Sequence, residues 1–180
     1  VASGAQTQRS GAHDAGDSAA DASWRKINAI DDVVLELLTM TDRLTVAMLS
    51  GNAGAGGCYL AFAADLVWAH AGVVLNPHYK NMGNLYGSEY WTYSLPRRVG
   101  EAASRVVMQQ RLPLVAPQAV QRGLIHACFA VGAAAFVAQG RERALALAAA
   151  YDLRERLQGK ARRRAADEAH KPLARYREEE

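Results

Sequence analysis

A glycine-rich turn is the clearest candidate for chemistry in this sequence. The run Gly51–Gly57 follows one short apolar segment and precedes another, which is the pattern of a strand, a tight turn and a helix. The first backbone amides of a helix have no acceptor within the helix, and the helix dipole adds partial positive charge at the same end. We therefore expect this turn to hold an anion, or an oxygen that gains negative charge.

Two phosphate-binding motifs look similar to this turn, and neither fits its residues. A P-loop requires Lys and then Ser or Thr after its last glycine, whereas Gly56 is followed by Gly-Cys-Tyr. A dinucleotide fingerprint that uses Gly54 and Gly56 requires a third glycine where Tyr59 stands. From the turn alone, the alternative that its glycines only allow a helix to pack closely on a strand stays open.

The segments around the turn predict an α/β chain. Leu44–Ser50 is short and apolar, which indicates a buried strand, and Cys58–Ala64 indicates a short helix. Leu66–Ala69 and Val73–Asn76 predict two further strands. Pro77–Tyr93 is rich in Asn, Gly and Tyr, which is typical of a loop, and we expect it to run into a helix.

The whole chain divides into three predicted regions: a disordered segment (1–22), a core (23–129) and a helical C-terminal region (130–180). The first region lacks apolar periodicity and so cannot offset its ordering entropy. In the core, apolar residues from Ile30 to Leu38 recur at helical spacing, which places Asp31 in the first turn of a helix. Pro172 predicts a break between C-terminal helices.

The composition is that of an ordinary globular protein, with 50% hydrophobic and 22% charged residues. The net charge of +3 comes from 21 basic and 18 acidic residues without basic–aromatic interleaving, so we predict no nucleic-acid partner. The most apolar segment, Ala127–Ala138, is too short to span a bilayer. Cys58 and Cys128 lack metal-ligand spacing. These features predict a cytoplasmic protein without a metal or membrane partner.

Two motifs resemble the signature of the enoyl-CoA hydratase/isomerase (crotonase) family. They are Gly51-Asn-Ala-Gly-Ala-Gly-Gly-Cys-Tyr-Leu-Ala, closed by Ala64-Asp65, and Ala116-Pro-Gln-Ala-Val-Gln-Arg-Gly-Leu-Ile. The resemblance covers Trp24 to Phe129 and implies a ClpP/crotonase-like α/β fold, a spiral of strand-strand-helix units with C-terminal helices. That family takes its second oxyanion-hole amide from an upstream element that has no match in residues 1–22, so we expect an incomplete N-terminal core.

Two further segments narrow the resemblance. Ser23–Asp32 and Val74–Trp91 resemble the crotonase-like C-terminal domain of nickel–iron hydrogenase maturation proteins, the HypX (HoxX) family. This likeness implies a lyase-type domain that releases carbon monoxide from formyl-CoA for the hydrogenase active site. Coenzyme A would enter as the thioester substrate, and tetrahydrofolate would serve only a separate formyltransferase domain. The hydrogenase maturation machinery would be a partner, and the C-terminal helices would suit a homo-oligomer.

The resemblance gives roles to residues of the turn and of the loop that follows. Gly56 would donate its N–H to the thioester oxygen, because an amide fixed at a helix start stabilises developing negative charge without reorganising. Of the two catalytic glutamates of hydratases, the first is replaced by Tyr59 and the second falls near Lys80, so ordinary hydration lacks its acid and base. If the loop folds back, Tyr79 and Glu89 would meet at the thioester and move the formyl proton to the departing sulfur.

The predicted site therefore has two groups of residues. The catalytic candidates are Gly56, Tyr79 and Glu89, and the substrate-binding candidates are Gly54, Gly57, Tyr59, Lys80 and Tyr86. Two alternatives stay open: another crotonase reaction, such as isomerisation or thioester hydrolysis, and a degenerate crotonase fold kept as an assembly module. Whether this chain is active on its own is also left open at this stage.

Overall fold

The computed structural model describes residues 18–80 and 82–180. Its helices are α1 Ala19–Thr39, α2 Gly56–Phe62, α3 Trp91–Val99, α4 Glu101–Gln109, α5 Ala116–Gln121, α6 Ala133–Ala148, α7 Leu153–His170 and α8 Leu173–Glu179. Its strands are β1 Val46–Leu49, β2 Ala53–Gly54, β3 Leu66–Ala69, β4 Val74–Asn76, β5 Leu114–Val115 and β6 Ala127–Cys128.

The strands form two small sheets that repeat one arrangement. Strands β1, β3 and β6 lie side by side and parallel in the first sheet. In the second sheet β2 pairs with β4 in parallel, and β5 adds to β4 in the antiparallel sense. The first two units (β1, β2, α2 and β3, β4, α3) thus send their first strand to one sheet and their second strand to the other before a helix follows, whereas α5 lies between β5 and β6. This spiral of strand-strand-helix units confirms the predicted α/β, crotonase-like fold class.

Helix α2 lies in the middle of the main hydrophobic core. Its residues Cys58, Tyr59 and Phe62 are buried against apolar side chains from both sheets and from α3, α4 and α5. A helix of seven residues is too short to be stable alone in water, so packing must hold it in place. Burial of a single Leu, Val or Phe side chain contributes about 1.5–3 kcal/mol, and many such side chains surround α2. The core therefore fixes the position of the glycine turn that precedes it.

Helix α1 begins earlier than the sequence pattern indicated. The predicted disordered segment ended at Ala22, yet Ser18 caps a helix that starts at Ala19, with Ser18 and Asp21 bonding each other's backbone amides. Alanine-rich sequence after a capping residue favours helix, which is why the prediction is wrong for residues 18–22. Residues 1–17 lie outside the described residues. The early start also places Asp31 in the middle of α1 rather than in its first turn.

The C-terminal helices pack back onto the core. As predicted, Pro172 separates two helices: α7 ends at His170, and Pro172 precedes α8. Lys160 of α7 lies 2.7 Å from an Asp65 carboxylate oxygen and donates to the Arg43 carbonyl at 2.9 Å. Arg177 of α8 bonds Asp32 of α1 at 2.6 Å. This ion pair holds the last helix beside α1.

Candidate active site

The glycine turn presents the start of α2 as the sequence predicted. Ala55 has a φ of 46° and donates its N–H to the Asn76 carbonyl at 2.9 Å, which ties the turn to β4. The helix then begins at Gly56, whose N–H has no acceptor within the helix because of its position in the first turn. Gly54 and Gly57 on either side are exposed. This end of α2 therefore has backbone donors that are not used within the helix.

A carboxylate lies directly against Gly56. A Cβ atom placed on Gly56 would be only 2.2 Å from Glu89 Oε1 and 2.6 Å from Glu89 Cδ. Only glycine allows so close an approach of side chain to backbone. Glu89 itself is 7% exposed, although it belongs to a loop. Its negative charge suits the positive end of the helix dipole.

Tyr79 completes the group. Its hydroxyl donates to Glu89 Oε2, and the Ser88 carbonyl oxygen lies 3.3 Å away. The ring packs on Gly87, where an added Cβ would lie 2.2 Å from Tyr79 Cε2 and where the φ is 96°. Burial and the Glu89 carboxylate raise the pKa of Tyr79 above its ordinary value. Tyr79 is therefore a neutral phenol, and a hydrogen-bond donor, at physiological pH.

The loop after β4 thus folds back as the sequence hypothesis required. The structure brings together Gly56, Tyr79 and Glu89, the three predicted catalytic residues. Their common feature is chemical: an amide donor, a neutral acid and a carboxylate meet within one small, largely buried space. Such a set suits a reaction in which a proton leaves one atom of a substrate while another atom gains charge. Their action on a substrate stays a prediction.

Tyr59, a predicted substrate-binding candidate, lies in the core. Its side chain is fully buried, and its hydroxyl donates to the Pro77 carbonyl at 2.5 Å. The ring stacks on that of Tyr79, with centroids 5.7 Å apart and planes inclined by 8°. The position on the inward face of α2 turns the side chain into the core. Tyr59 therefore packs behind Tyr79, and its side chain has no exposed surface for the predicted contact with a substrate.

Lys80 and Tyr86 lie beside this group, at a pocket of about 390 Å³ that Tyr79 also lines. Lys80 is partly exposed. Tyr86 is 55% exposed, and its ring lies 5.3 Å from that of Trp91. The buried Trp91 Nε1 has no hydrogen-bond partner within residues 18–80 and 82–180. Aromatic and apolar side chains thus form most of the pocket surface, and the cations Lys80 and Arg105 are among its polar lining residues.

Two acidic residues that the sequence did not point to support Glu89. Asp31 in α1 accepts the Glu89 N–H at 2.9 Å, and Glu180 accepts the Tyr90 N–H at 2.7 Å. These contacts join residues 58 and 90 positions apart, respectively. No local spacing or motif connects residues at such separations, so the sequence contained no signal for them.

Cys58, His78 and His126 have structural roles. The Cys58 thiol donates to the Ala53 carbonyl at 3.2 Å, and burial raises its pKa to about 12, so burial outweighs the helix start. The Nδ1 atom of His126 accepts the Val67 N–H at 3.0 Å, and that of His78 accepts the Lys80 N–H. Across the described ranges, no three His, Cys, Asp or Glu side chains form a cluster suited to a metal ion. None of the described helices is long and apolar enough to cross a membrane.

Comparison with known proteins identifies the family. The profile of the family described as enoyl-CoA hydratase/isomerase matches residues 2–179. The chain belongs to the enoyl-CoA hydratase/isomerase family.

Within this family, the chain is similar to hydrogenase maturation factors. It is 50% identical over 167 residues to hydrogenase maturation factor HoxX of Bradyrhizobium diazoefficiens, which covers 93% of this chain and 29% of the relative. The crystal structure of HypX from Aquifex aeolicus in complex with tetrahydrofolic acid is 47% identical, with a TM-score of 0.85 over 92% of this chain and 29% of that one. The chain spans less than a third of the length of either relative.

A more distant neighbour supports the fold alone. The crystal structure of enoyl-CoA hydratase from Bacillus halodurans is 21% identical, with a TM-score of 0.69 over 89% of this chain and 64% of that one. The enoyl-CoA hydratase/isomerase fold is therefore common to this chain and to proteins of little sequence similarity.

Proposed function

We propose that this chain is the acyl-CoA domain of a cytoplasmic hydrogenase maturation factor and that its site releases carbon monoxide from formyl-CoA. One observation carries the proposal: the Glu89 carboxylate, hydrogen-bonded by Tyr79, lies against Gly56 at the start of α2. The similarity to the maturation factors HoxX and HypX supports the maturation role. The maturation machinery is then the partner, and formyl-CoA is the substrate.

The start of α2 would hold the thioester. The Gly56 N–H donates to the formyl oxygen, and the exposed Gly54 and Gly57 leave the backbone open to the acyl group. A donor of this kind, fixed by the core before substrate arrives, contributes about 3 kcal/mol to the stabilisation of a charged transition state. We assign the pocket lined by Lys80 and Tyr86 to the pantetheine arm of coenzyme A, since it adjoins Tyr79 and is mostly apolar.

The proton transfers would fall to Glu89 and Tyr79. Glu89 removes the formyl proton, and the electron pair of the broken C–H bond completes the carbon monoxide as the C–S bond breaks. The thiolate leaves with the C–S electron pair and receives a proton, so formyl-CoA gives carbon monoxide and coenzyme A. Tyr79, kept neutral by its raised pKa, donates to Glu89 and can pass a proton toward the sulfur.

Hydration of an enoyl-CoA fits this site less well. Addition of water needs a matched acid and base, and in hydratases of the family these are two glutamates that follow the glycine turn. Here the corresponding positions hold Tyr59, whose hydroxyl bonds Pro77, and the cation Lys80. Glu89 is left as the carboxylate that contacts Gly56, and a single carboxylate suits transfer of one proton from carbon to sulfur.

The decisive experiment measures carbon monoxide release from formyl-CoA with the complete protein and its Glu89→Gln variant. Loss of the catalytic base typically costs a factor of about 10²–10⁴, so we expect at least a hundredfold fall in rate. The exposed α6 residue Glu142 provides a matched control, and Glu142→Gln should release carbon monoxide at the wild-type rate. Trapping of the gas by ferrous haemoglobin gives the rate directly.

Two results would contradict the proposal. If Glu89→Gln releases carbon monoxide as fast as the wild type, Glu89 is not the base. If the wild-type protein binds no coenzyme A thioester in a calorimetric titration, the fold serves as an assembly module instead.

A further inference from the structure

Two adjacent residues of the site have an unusual backbone conformation. Glu89 has a φ of 63° and Tyr90 a φ of 55°, both in the left-handed region. Residues with a Cβ avoid this region because the Cβ atom approaches the following carbonyl, so a pair of them persists only where the surroundings enforce it. The conformation matters because it directs the Glu89 side chain toward Gly56 and Tyr79.

Two carboxylates hold this pair of residues by its amides. Asp31 Oδ1 accepts the Glu89 N–H at 2.9 Å, and Glu180 Oε2 accepts the Tyr90 N–H at 2.7 Å. The other oxygen of Glu180 accepts both the N–H of Thr92 at 2.8 Å and its hydroxyl at 2.6 Å. Hydrogen bonds from amides to ionised carboxylates are among the stronger ones in proteins. Together they restrain the backbone on both sides of the Glu89 carbonyl.

The two carboxylates come from helices that are tied to each other. Asp31 lies in α1 and is 7% exposed, whereas Glu180 directly follows α8. Arg177 of α8 bonds Asp32 at 2.6 Å and the Asn28 side chain at 2.9 Å. The junction of α1 and α8 therefore forms a rigid support behind the loop.

We propose that Asp31 and Glu180 are positioning residues that fix the left-handed Glu89–Tyr90 pair and thereby hold the Glu89 carboxylate against Gly56. Neither contacts the reacting group, because both act through the backbone. The effect on turnover rests on the proposed function, whereas the effect on the backbone does not.

The charges that face these carboxylates make the support sensitive to pH. Asp31 is surrounded by Asp32, Arg177, the Ser88 hydroxyl and the Glu89 amide, and burial raises its pKa. Burial likewise raises the pKa of Glu180 to about 7, while Thr92 and Tyr90 donate to it and Asp31 adds negative charge nearby. As pH falls through 7, Glu180 gains a proton, and its neutral carboxyl group becomes a weaker acceptor for the Tyr90 and Thr92 hydrogen bonds.

A rise in pH through 7 should lower the stability of the protein and, at the same time, strengthen the hydrogen bonds that position the loop. The folded-state pKa of Glu180 lies above the ordinary 4.5, so its contribution to stability is present below pH 4.5 and lost as pH rises through 7. Wild-type protein should therefore lose unfolding free energy over that interval relative to Glu180→Gln. The hydrogen bonds from the Tyr90 and Thr92 amides to Glu180 strengthen as pH rises, because the ionised carboxylate is the better acceptor.

Amide hydrogen exchange of the complete protein tests this proposal without any substrate. In Asp31→Asn and Glu180→Gln we expect protection of the Glu89, Tyr90 and Thr92 amides to fall at least tenfold. Two exposed acidic residues on the same elements supply matched controls, and Glu36→Gln and Glu178→Gln should leave that protection unchanged. If Asp31→Asn does not fold, Glu180→Gln carries the test, since its side chain is partly exposed.

Turnover separates this proposal from the proposed function. We expect both variants to release carbon monoxide about tenfold more slowly with unchanged KM, and the wild-type rate, but not that of Glu180→Gln, to fall below pH 7. Unchanged amide protection in both variants would overturn the positioning role. Reduced protection in a protein that never releases carbon monoxide would overturn the proposed function and leave the positioning role standing.

Discussion

The two ends of helix α2 are built in opposite ways. At the start, the Gly56 N–H lacks an acceptor within the helix, and the Glu89 carboxylate lies against the side of Gly56 where a Cβ atom would stand. At the finish, Arg98 of α3 donates to the carbonyl of Phe62, the last residue of α2, at 2.7 Å and to the Ala64 carbonyl just beyond it at 2.8 Å. We propose the first, open end for a ligand, whereas the second, sealed end is hydrogen-bonded by the protein itself.

Both arrangements follow the helix dipole. Negative charge from Glu89 meets the positive end, and positive charge from Arg98 meets the negative end. The guanidinium also lies 5.2 Å from the centre of the Phe62 ring, and burial lowers its pKa to about 10, which leaves it charged at neutral pH. The difference between the ends therefore does not lie in charge complementarity. It lies in which backbone groups have a permanent hydrogen-bond partner. We therefore expect substitutions at the Arg98 end to change mainly stability and substitutions at the Gly56 end to change mainly the reaction rate.

The largest expected effect is on stability, at the sealed end. Arg98→Met would leave the Phe62 and Ala64 carbonyls without their donor, and unpaired buried acceptors cost about 1–3 kcal/mol each. We expect the free energy of unfolding to fall by about 3 kcal/mol in denaturant titrations. Arg141→Met, on the exposed face of α6, is the control and should cost little. Equal stability of the two variants would show that the carbonyls do not depend on Arg98.

The next effect is on function, at the open end. Gly56→Ala introduces a methyl group 2.2 Å from Glu89 Oε1, so the carboxylate must move away. Because it is the end of a flexible side chain that moves, we expect a stability loss of only about 1 kcal/mol. The rate of carbon monoxide release should fall about a hundredfold, as for the loss of a positioned donor or base. Gly51→Ala is the control, since its Cβ would meet nothing within 4 Å. A Gly56→Ala variant that releases carbon monoxide at the wild-type rate would show that the close contact between Gly56 and Glu89 is not needed for the reaction.

The smallest effect concerns the hydrogen bond between Tyr79 and Glu89. Tyr79→Phe keeps the ring on Gly87 and Tyr59 but removes the donor. We expect the rate to fall about tenfold and the unfolding free energy to fall by about 1 kcal/mol, the typical value for one hydrogen bond. Tyr151→Phe, at a fully exposed position, should change neither quantity. A loss as large as that in Glu89→Gln would mean that Tyr79 is itself the essential acid or base.

Local sequence was sufficient for the open end of α2. The glycine turn, Tyr79 and Glu89 lie within 39 positions of one another, and the family motif marks where the helix begins. The direction of a side chain is harder to infer. Tyr59 is part of the same motif, yet it faces the core, because only the packed helix decides which of its residues point inward.

Long-range contacts account for the rest. Asp31 and Glu180 reach the site only because α1 and α8 pack together, and no spacing in the sequence encodes that contact. The same holds for the short strands β2, β5 and β6, which contain two residues each and so show no alternating pattern. The longer β1, β3 and β4 lie within the predicted strand segments, because their apolar runs are bounded by turn residues.

The most direct test of the open end is the infrared spectrum of a bound thioester. Acetyl-CoA labelled with ¹³C at its carbonyl carries the oxygen that Gly56 would bind but lacks the formyl proton, so it should stay intact. We expect its carbonyl band to move to lower frequency on binding to the complete wild-type protein, and to move less in Gly56→Ala. A thioester that binds with the carbonyl frequency it has in water would contradict the assignment of this helix end as the acyl-CoA site.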